Sequence, residues 1–278
     1  MALGPESVSL CCGTLIDADF RTLVEAASAA RCDGISLWRA HYQRGLDAGL
    51  SPADMRRLLE EHRLEIVEMD ALLVNWSDAG GSDYVDSEHV DALFEMADQL
   101  GGRCLNVVSL GDAVDLDFAV RSVRRIHERL KSSGLALAVE FLPWCRPGSI
   151  GEAIAILDAA GCDNSGLMLD SWHFYKSGED FEQLASLPPE RIVATQNNGV
   201  AETPQSADIV EETMTERELP GAGCNDLVRF IRTLDEIGSQ APIGIEVFNK
   251  GLRGLPAVEV AKRAVDAMRG VLKEARGR

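Results

Sequence analysis

LALAVEFLPWCRPGSIGEAIAILDAAGCDNSGLMLD, residues 135–170, carries the pattern that decides the fold. An apolar run, LALAV, ends in Glu140. An amphipathic stretch, IGEAIAILDAAG (150–161), follows, and a second apolar run, GLML, ends in Asp170. Strand, helix, strand at this spacing implies two parallel strands joined by a crossover helix. The same unit recurs in both directions along the chain. Strands are predicted at 8–12, 34–38, 64–72, 104–110, 135–144, 166–170, 191–198 and 242–248. Helices are predicted at 19–30, 51–62, 86–101, 115–132, 150–161, near 179–186, 224–238 and 255–274. Ser51-Pro52 opens one of them as an N-cap followed by proline at the first helical position.

Eight strand–helix units without a break in composition predict one closed (β/α)8 barrel over 1–278, and single barrels commonly run to about 250 residues. A doubly wound open sheet is the alternative. It is disfavoured because the first strand leads into LIDADF with no G-x-G-x-x-G turn, and no P-loop motif occurs. One connection breaks the rhythm: from Asn198 to about Gly223, NGVAETPQSADIVEETMTERELPGAG has no periodic pattern. A loop of that length inside a compact domain suggests a functional lid or binding loop.

Lys and Arg number 27 against 45 Asp and Glu, a formal net charge of −18. Nucleic acid and anionic membranes require a positive footprint, so neither is an expected partner. The seven cysteines form no C-x-x-C pair, and their odd number suggests reduced thiols and a cytoplasmic setting. The N-terminal residues read as neither a signal peptide nor a membrane span.

In a barrel of this type the chemistry sits at the C-terminal ends of the strands. The last four strands place Glu140, Asp170, Gln196 and Glu246 there, each after an apolar run. A buried carboxylate must be neutralised, hydrogen-bonded or bound to a cation. One such residue is equally well explained as a helix cap or an ion-pair partner, but four consecutive strand ends would require that explanation four times. Three carboxylates and an amide oxygen form a hard donor set, suited to Mn²⁺ or Mg²⁺ rather than Zn²⁺. His173 alone reads as a satisfied structural histidine. Trp38, His41 and Trp76, near the ends of the second and third strands, are candidates for an apolar wall, although rim packing accounts for them as well.

The motifs VEFLPW (139–144), GLMLDSWHFYKSG (166–178), RIVATQNNG (191–199), ERELPGAG (216–223) and PIGIEVFN (242–249), in this order, resemble the xylose isomerase-like superfamily of sugar phosphate isomerases and epimerases. That family includes ketose 3-epimerases, hydroxypyruvate isomerases, inosose dehydratases and 3-dehydroshikimate dehydratases. The resemblance extends over almost the whole chain and implies a divalent metal held by Glu, Asp, His and Glu from strands five to eight. Glu140, Asp170 and Glu246 match three ligands, and Gln196 stands where His is usual. Co²⁺ and Zn²⁺ are also compatible with the family.

The resemblance further implies that His173 contacts substrate rather than metal, and that Arg217 reaches the substrate. Asn198 stands where the family commonly has Asp, and it joins Arg217, Trp38 and His41 as a substrate-facing candidate. The superfamily's DNA-binding nuclease branch uses a histidine-rich zinc site. This chain has five histidines, one of them at these strand ends, and its charge is wrong for DNA.

The expected activity is isomerisation or epimerisation of a sugar-like or polyol-derived keto compound through an enediolate. Glu140 and Glu246 would serve as base and acid, and His173 as a partner for a substrate oxygen. Loss of a β-hydroxyl from the same intermediate would make the enzyme a dehydratase. Gln196 and Asn198 motivate a third reading, a repurposed barrel that binds a ligand or serves as a subunit of a larger enzyme. Homo-oligomers are frequent in the family, so a homo-oligomer is compatible with this chain.

Overall fold

The computed structural model describes residues 3–77 and 87–277. Eight parallel strands close into a barrel in sequence order, β1 through β8, with β8 returning to pair with β1. They are β1 (Val8–Leu10), β2 (Gly34–Trp38), β3 (Glu65–Val74), β4 (Cys104–Ser109), β5 (Ala136–Glu140), β6 (Ser165–Asp170), β7 (Ile192–Asn197) and β8 (Ile243–Ile245). The helices are α1 (Phe20–Ala29), α2 (Arg39–Asp47), α3 (Pro52–His62), α4 (Ser87–Leu100), α5 (Leu116–Leu130), α6 (Ile150–Ala160), α7 (Ser171–Lys176), α8 (Phe181–Ala185), α9 (Ile209–Thr215), α10 (Leu227–Glu236) and α11 (Ala257–Arg276). The expected (β/α)8 barrel is the observed fold. The predicted start of the third unit's helix, Asp86, lies outside the described residues.

Local chemistry explains where these elements begin and end. Ser51 and Asp54 form a reciprocal capping box at the start of α3, with Pro52 just inside. Asp19, Asp115, Ser149 and Asp226 cap α1, α5, α6 and α10 through their side chains. The apolar faces of the helices pack on the outside of the barrel, and one large cluster of buried residues joins strands and helices. No helix among the described residues is long and apolar enough to cross a membrane. All seven cysteines are unpaired.

The structure adds elements to the sequence reading. Helix α2 occupies 39–47, between β2 and α3, where no element was expected. The short α7 follows β6 directly because the Asp170 carboxylate caps it, accepting from the backbone of Trp172 and His173. β8 is only three residues long, so Glu246 stands one residue beyond its end. The connection after β7 contains α9, and its ends are clipped by bridges from Gly199 to Glu218 and from Val200 to Gly223.

Candidate active site

At the C-terminal end of the barrel a cavity of about 200 Å³ is floored by Asp70, Glu140, His173, Gln196, Arg217 and Glu246. Its upper wall is apolar, with Leu73, Val108, Leu142 and Trp144 on one side and Val210 and Met214 of α9 on the other. Helix α9 therefore brings part of the long β7 connection into the lining of the site.

Asp170 is the most fully engaged carboxylate. Its Oδ1 accepts from the backbone of Trp172 at 2.6 Å and of His173 at 3.3 Å, and from Asn198 Nδ2 at 3.2 Å. Its Oδ2 accepts from Arg217 Nη1 at 2.5 Å. Burial alone would raise its pKa, but Arg217, His173 and these donors outweigh burial and hold it below the ordinary carboxylate range.

Arg217 arrives from the loop after α9. Its Nε donates to the carbonyl of Thr213 at 3.0 Å and its Nη2 to Thr213 Oγ1 at 2.9 Å. Nη1 also reaches Glu246 Oε2 at 3.3 Å, and Nη2 lies 3.5 Å from His173 Nε2. The guanidinium stands 4.8 Å from the centre of the Phe248 ring, a cation–π arrangement.

Two further carboxylates enter from β3. Glu68 and Asp70 are two residues apart and so share one face of the strand. Asp70 accepts from Trp38 Nε1 at 2.7 Å and from Asn106 Nδ2 at 2.8 Å. The same Asn106 nitrogen donates to Glu140 Oε2 at 2.7 Å, so it bridges the two acids. Glu68 accepts from Gln196 Nε2 at 2.8 Å. Sequence reading missed Glu68, Asp70 and Asn106. The available signal was the period-two spacing of Glu68 and Asp70 within LEIVEMDAL.

Glu68, Asp70, Glu140, Asp170 and Glu246 are all buried, and the last four feel the charge of Arg217. Burial, reinforced by the neighbouring carboxylates, pushes Glu68 up to about 8 and raises Glu140 and Glu246 well above the ordinary range. Burial likewise raises Asp70, against the bonds from Asn106 and Trp38. Burial pushes His173 down to about 3, with Arg217 adding to the effect against Asp170, so the imidazole is neutral near pH 7.

This site fits a divalent cation. Gln196 Oε1 and Glu246 Oε1 are buried oxygens without hydrogen-bond partners among the described residues. A Cβ at Gly13 would lie 2.8 Å from Glu246 Oε1, so the absent side chain leaves that oxygen room. Ligand atoms of Glu140, Asp170 and His173 lie within 4.8 Å of one another. His173, expected to stand apart from the ligands, is thus inside the cluster, with Nε2 3.4 Å from Glu140 Oε1.

The other sequence candidates are placed as follows. Trp38 lines the cavity. His41 is fully buried behind it, its Nε2 3.2 Å from the Leu15 carbonyl and its ring edge-on to Trp38. Trp76 is a core residue that donates to Ser122 Oγ at 2.9 Å. Asn198 braces Asp170 and Ser171 from behind.

This architecture recurs in solved proteins. An IOLI protein with a binding zinc atom superposes with a TM-score of 0.84 at 20% identity, covering 97% of this chain and 99% of that one. In sequence, the chain is 31% identical to a 3-dehydroshikimate dehydratase of Pseudomonas aeruginosa over 264 residues, 90% of this chain and 39% of that protein. It is 29% identical to an inosose isomerase of Halalkalibacterium halodurans over 149 residues, 53% of this chain and 51% of that protein. The chain thus spans between about two fifths and half of the length of these curated relatives. The family described as the xylose isomerase-like TIM barrel matches residues 24–271, and the chain belongs to it.

Proposed function

We propose that this chain is a divalent-metal-dependent enzyme that removes a proton from the carbon beside a carbonyl in a small polyhydroxylated keto compound, and that its reaction ends in loss of water. The observation that carries the reading is the set of five buried carboxylates inside one end of the barrel, two from within β3 and three from the ends of β5, β6 and β8, four of the five with raised affinity for protons. So many buried acids require either protons or a cation.

Glu140, Asp170, Gln196 and Glu246 would hold the metal, with His173 within reach. The bound metal would supply Lewis-acid polarisation of the substrate carbonyl. The zinc described for the IOLI protein is in keeping with such a site, although Mn²⁺ or Mg²⁺ suits the oxygen donors better.

The chain's own groups then divide the proton transfers. Glu246 can take the proton from carbon, leaving the electron pair delocalised onto the carbonyl oxygen as an enolate. His173, held neutral, can hydrogen-bond a substrate oxygen. Glu140, whose affinity for a proton is raised by burial and neighbouring acids, can take up a proton and return it. Delivered to a β-hydroxyl, that proton leaves with it as water while the carbon–carbon double bond forms. Delivered to carbon, it completes an isomerisation. The apolar residues that line the cavity reduce the water around the reacting atoms.

Dehydration is favoured because the relative that matches 90% of this chain is a 3-dehydroshikimate dehydratase. The inosose isomerases, which match about half of the chain, support isomerisation as the second reading. Incubation with Mn²⁺ in D₂O, with 3-dehydroshikimate and a panel of inososes and ketoses, separates the two. An aromatic dihydroxybenzoate, seen by NMR and ultraviolet absorbance, is expected for dehydration. Deuterium at carbon in a rearranged ketose or inosose would instead establish the isomerase. Metal content unchanged in both Glu140→Gln and Glu246→Gln proteins would sink the metal site.

A further inference from the structure

Glu68 contacts neither substrate space nor any of the strand-end carboxylates by hydrogen bond, yet it is 1% exposed and reaches across the barrel from β3 to β7. Its bond is to Gln196 Nε2, at 2.8 Å between residues 128 positions apart in sequence. Gln196 is equally buried, lines the cavity, and has an oxygen without a donor. We infer that Glu68 is a positioning residue that fixes which end of the Gln196 amide faces the cavity, so that Oε1 is presented as a ligand atom for a divalent cation. This inference rests on the proposed metal site, and specifically on Gln196 as one of its ligands.

The chemistry is directional. An amide has two ends of nearly equal size, but only the oxygen can bind a cation, because the NH₂ has two donors and no available lone pair. Turned the wrong way, Gln196 would place those donors against the metal. A carboxylate can only accept a hydrogen bond, and a protonated carboxyl still offers its carbonyl oxygen. In either state Glu68 engages the NH₂ and leaves the oxygen on the other side. The apolar or already committed groups around the barrel floor offer Gln196 Nε2 no second acceptor within hydrogen-bond distance among the described residues.

The test is Mn²⁺ affinity of metal-free protein, measured by calorimetric titration and by the free-Mn²⁺ paramagnetic resonance signal. Glu68→Leu and Glu68→Met remove the acceptor without emptying the space, and each is expected to weaken binding about 10- to 100-fold, the effect usual for losing a group that orients a ligand. Glu68→Gln keeps an acceptor oxygen and is expected to bind within a few-fold of wild type. In a Gln196→His background, where no amide end remains to be chosen, adding Glu68→Leu should change affinity little.

The control is Gln196→Ala. If it binds Mn²⁺ as wild type does, the reading of Gln196 as a ligand fails and the inference fails with it. If it binds weakly while Glu68→Leu and Glu68→Met bind normally, the metal site stands and the positioning role is overturned. If Glu68→Gln loses as much as Glu68→Leu, Glu68 acts through its charge and the positioning role is again overturned. A measurement on the unmutated chain keeps the question open to decision even if the apolar variants do not fold. The Gln196 side-chain NH₂ protons, assigned by their absence in Gln196→Ala, should be protected from solvent exchange in metal-free protein. Free exchange of those protons would overturn the inference.

Discussion

Arg217 and Asp170 are joined at 2.5 Å in the floor of the barrel, both almost wholly inaccessible to solvent. The guanidinium is delivered by the long connection after β7, and the carboxylate by the end of β6. Because Nη1 also reaches Glu246 Oε2, Arg217 is the cation that partly balances the carboxylate cluster in the metal-free protein. Removing one partner of a buried ion pair leaves the other charge uncompensated, at a cost of about 3–5 kcal/mol. Arg217→Met is therefore expected to lower the melting temperature of metal-free protein by on the order of 10 °C. Mn²⁺ should restore more stability to this variant than it adds to the wild type. Thermal melts with and without Mn²⁺ check both statements, and an unchanged metal-free melt would refute the first.

Asn106 holds two acids apart with a single nitrogen, at 2.8 Å from Asp70 and 2.7 Å from Glu140. Asn106→Leu takes away both bonds within a fully buried site, and leaving a buried acceptor without its donor costs about 1–3 kcal/mol. Asn106→Asp should be worse, since it adds a sixth carboxyl group to the cluster. Urea titrations of the two variants in metal-free buffer are expected to rank them wild type, Leu, Asp in falling order of midpoint.

The barrel was legible in the sequence because each strand is a short apolar run bounded by a helical stretch, and this alternation admits few topologies. Glu140, Asp170 and Gln196 were legible for the same reason: a polar residue closing an apolar run shows where a strand meets the barrel mouth. Glu68 and Asp70 were not. They sit inside a strand whose alternation of acid and apolar residues equally describes a half-exposed edge, and only closure of the barrel turns that acidic face inward. Asn106 was hidden within CLNVVSL, where a single amide does not disturb the apolar pattern. The role of Asn198 is likewise tertiary, since it depends on the approach of β7 to the Asp170 cap. Helix α2 escaped notice because RAHYQRGLD is polar enough to read as loop, and it begins without a side-chain cap.

Protons and metal compete for the same groups. Glu68 is pushed up to about 8 and Glu140 and Glu246 well above their usual range, whereas unfolded glutamates titrate near 4.3. Between those limits the folded chain binds more protons than the unfolded chain, so the stability of metal-free protein falls as pH rises. His173, pushed down to about 3, is neutral in both states above about pH 7 and opposes this trend only in acid. From pH 7 to 8 each such carboxyl removes on the order of 1 kcal/mol. Melting temperatures of metal-free protein should therefore decline over this interval. Mn²⁺ affinity should rise over the same interval, because its ligands must lose their protons to bind. A metal-free melt that rises between pH 7 and 8 would contradict the assignment of raised carboxyls.

The long connection after β7 is held by its ends, and Gly223 is the tightest point. Its φ is +87°, a conformation that favours glycine, and a Cβ there would lie 1.9 Å from the Val200 carbonyl oxygen. That same carbonyl accepts from the backbone of Cys224 at 2.9 Å. Gly223→Ala must therefore push the return of the connection away from its departure, and Arg217 and Thr213 lie between the two. The barrel strands do not depend on this contact, so far-ultraviolet circular dichroism should be unchanged. The segment 200–223 should become several-fold more sensitive to limited proteolysis, with cleavage sites read by mass spectrometry. Because Arg217 is carried on that segment, metal-free Gly223→Ala should also reproduce part of the melting-temperature loss of Arg217→Met, and combining the two substitutions should cost less than the sum of the separate losses. Full additivity would mean that the Gly223 contact does not place Arg217.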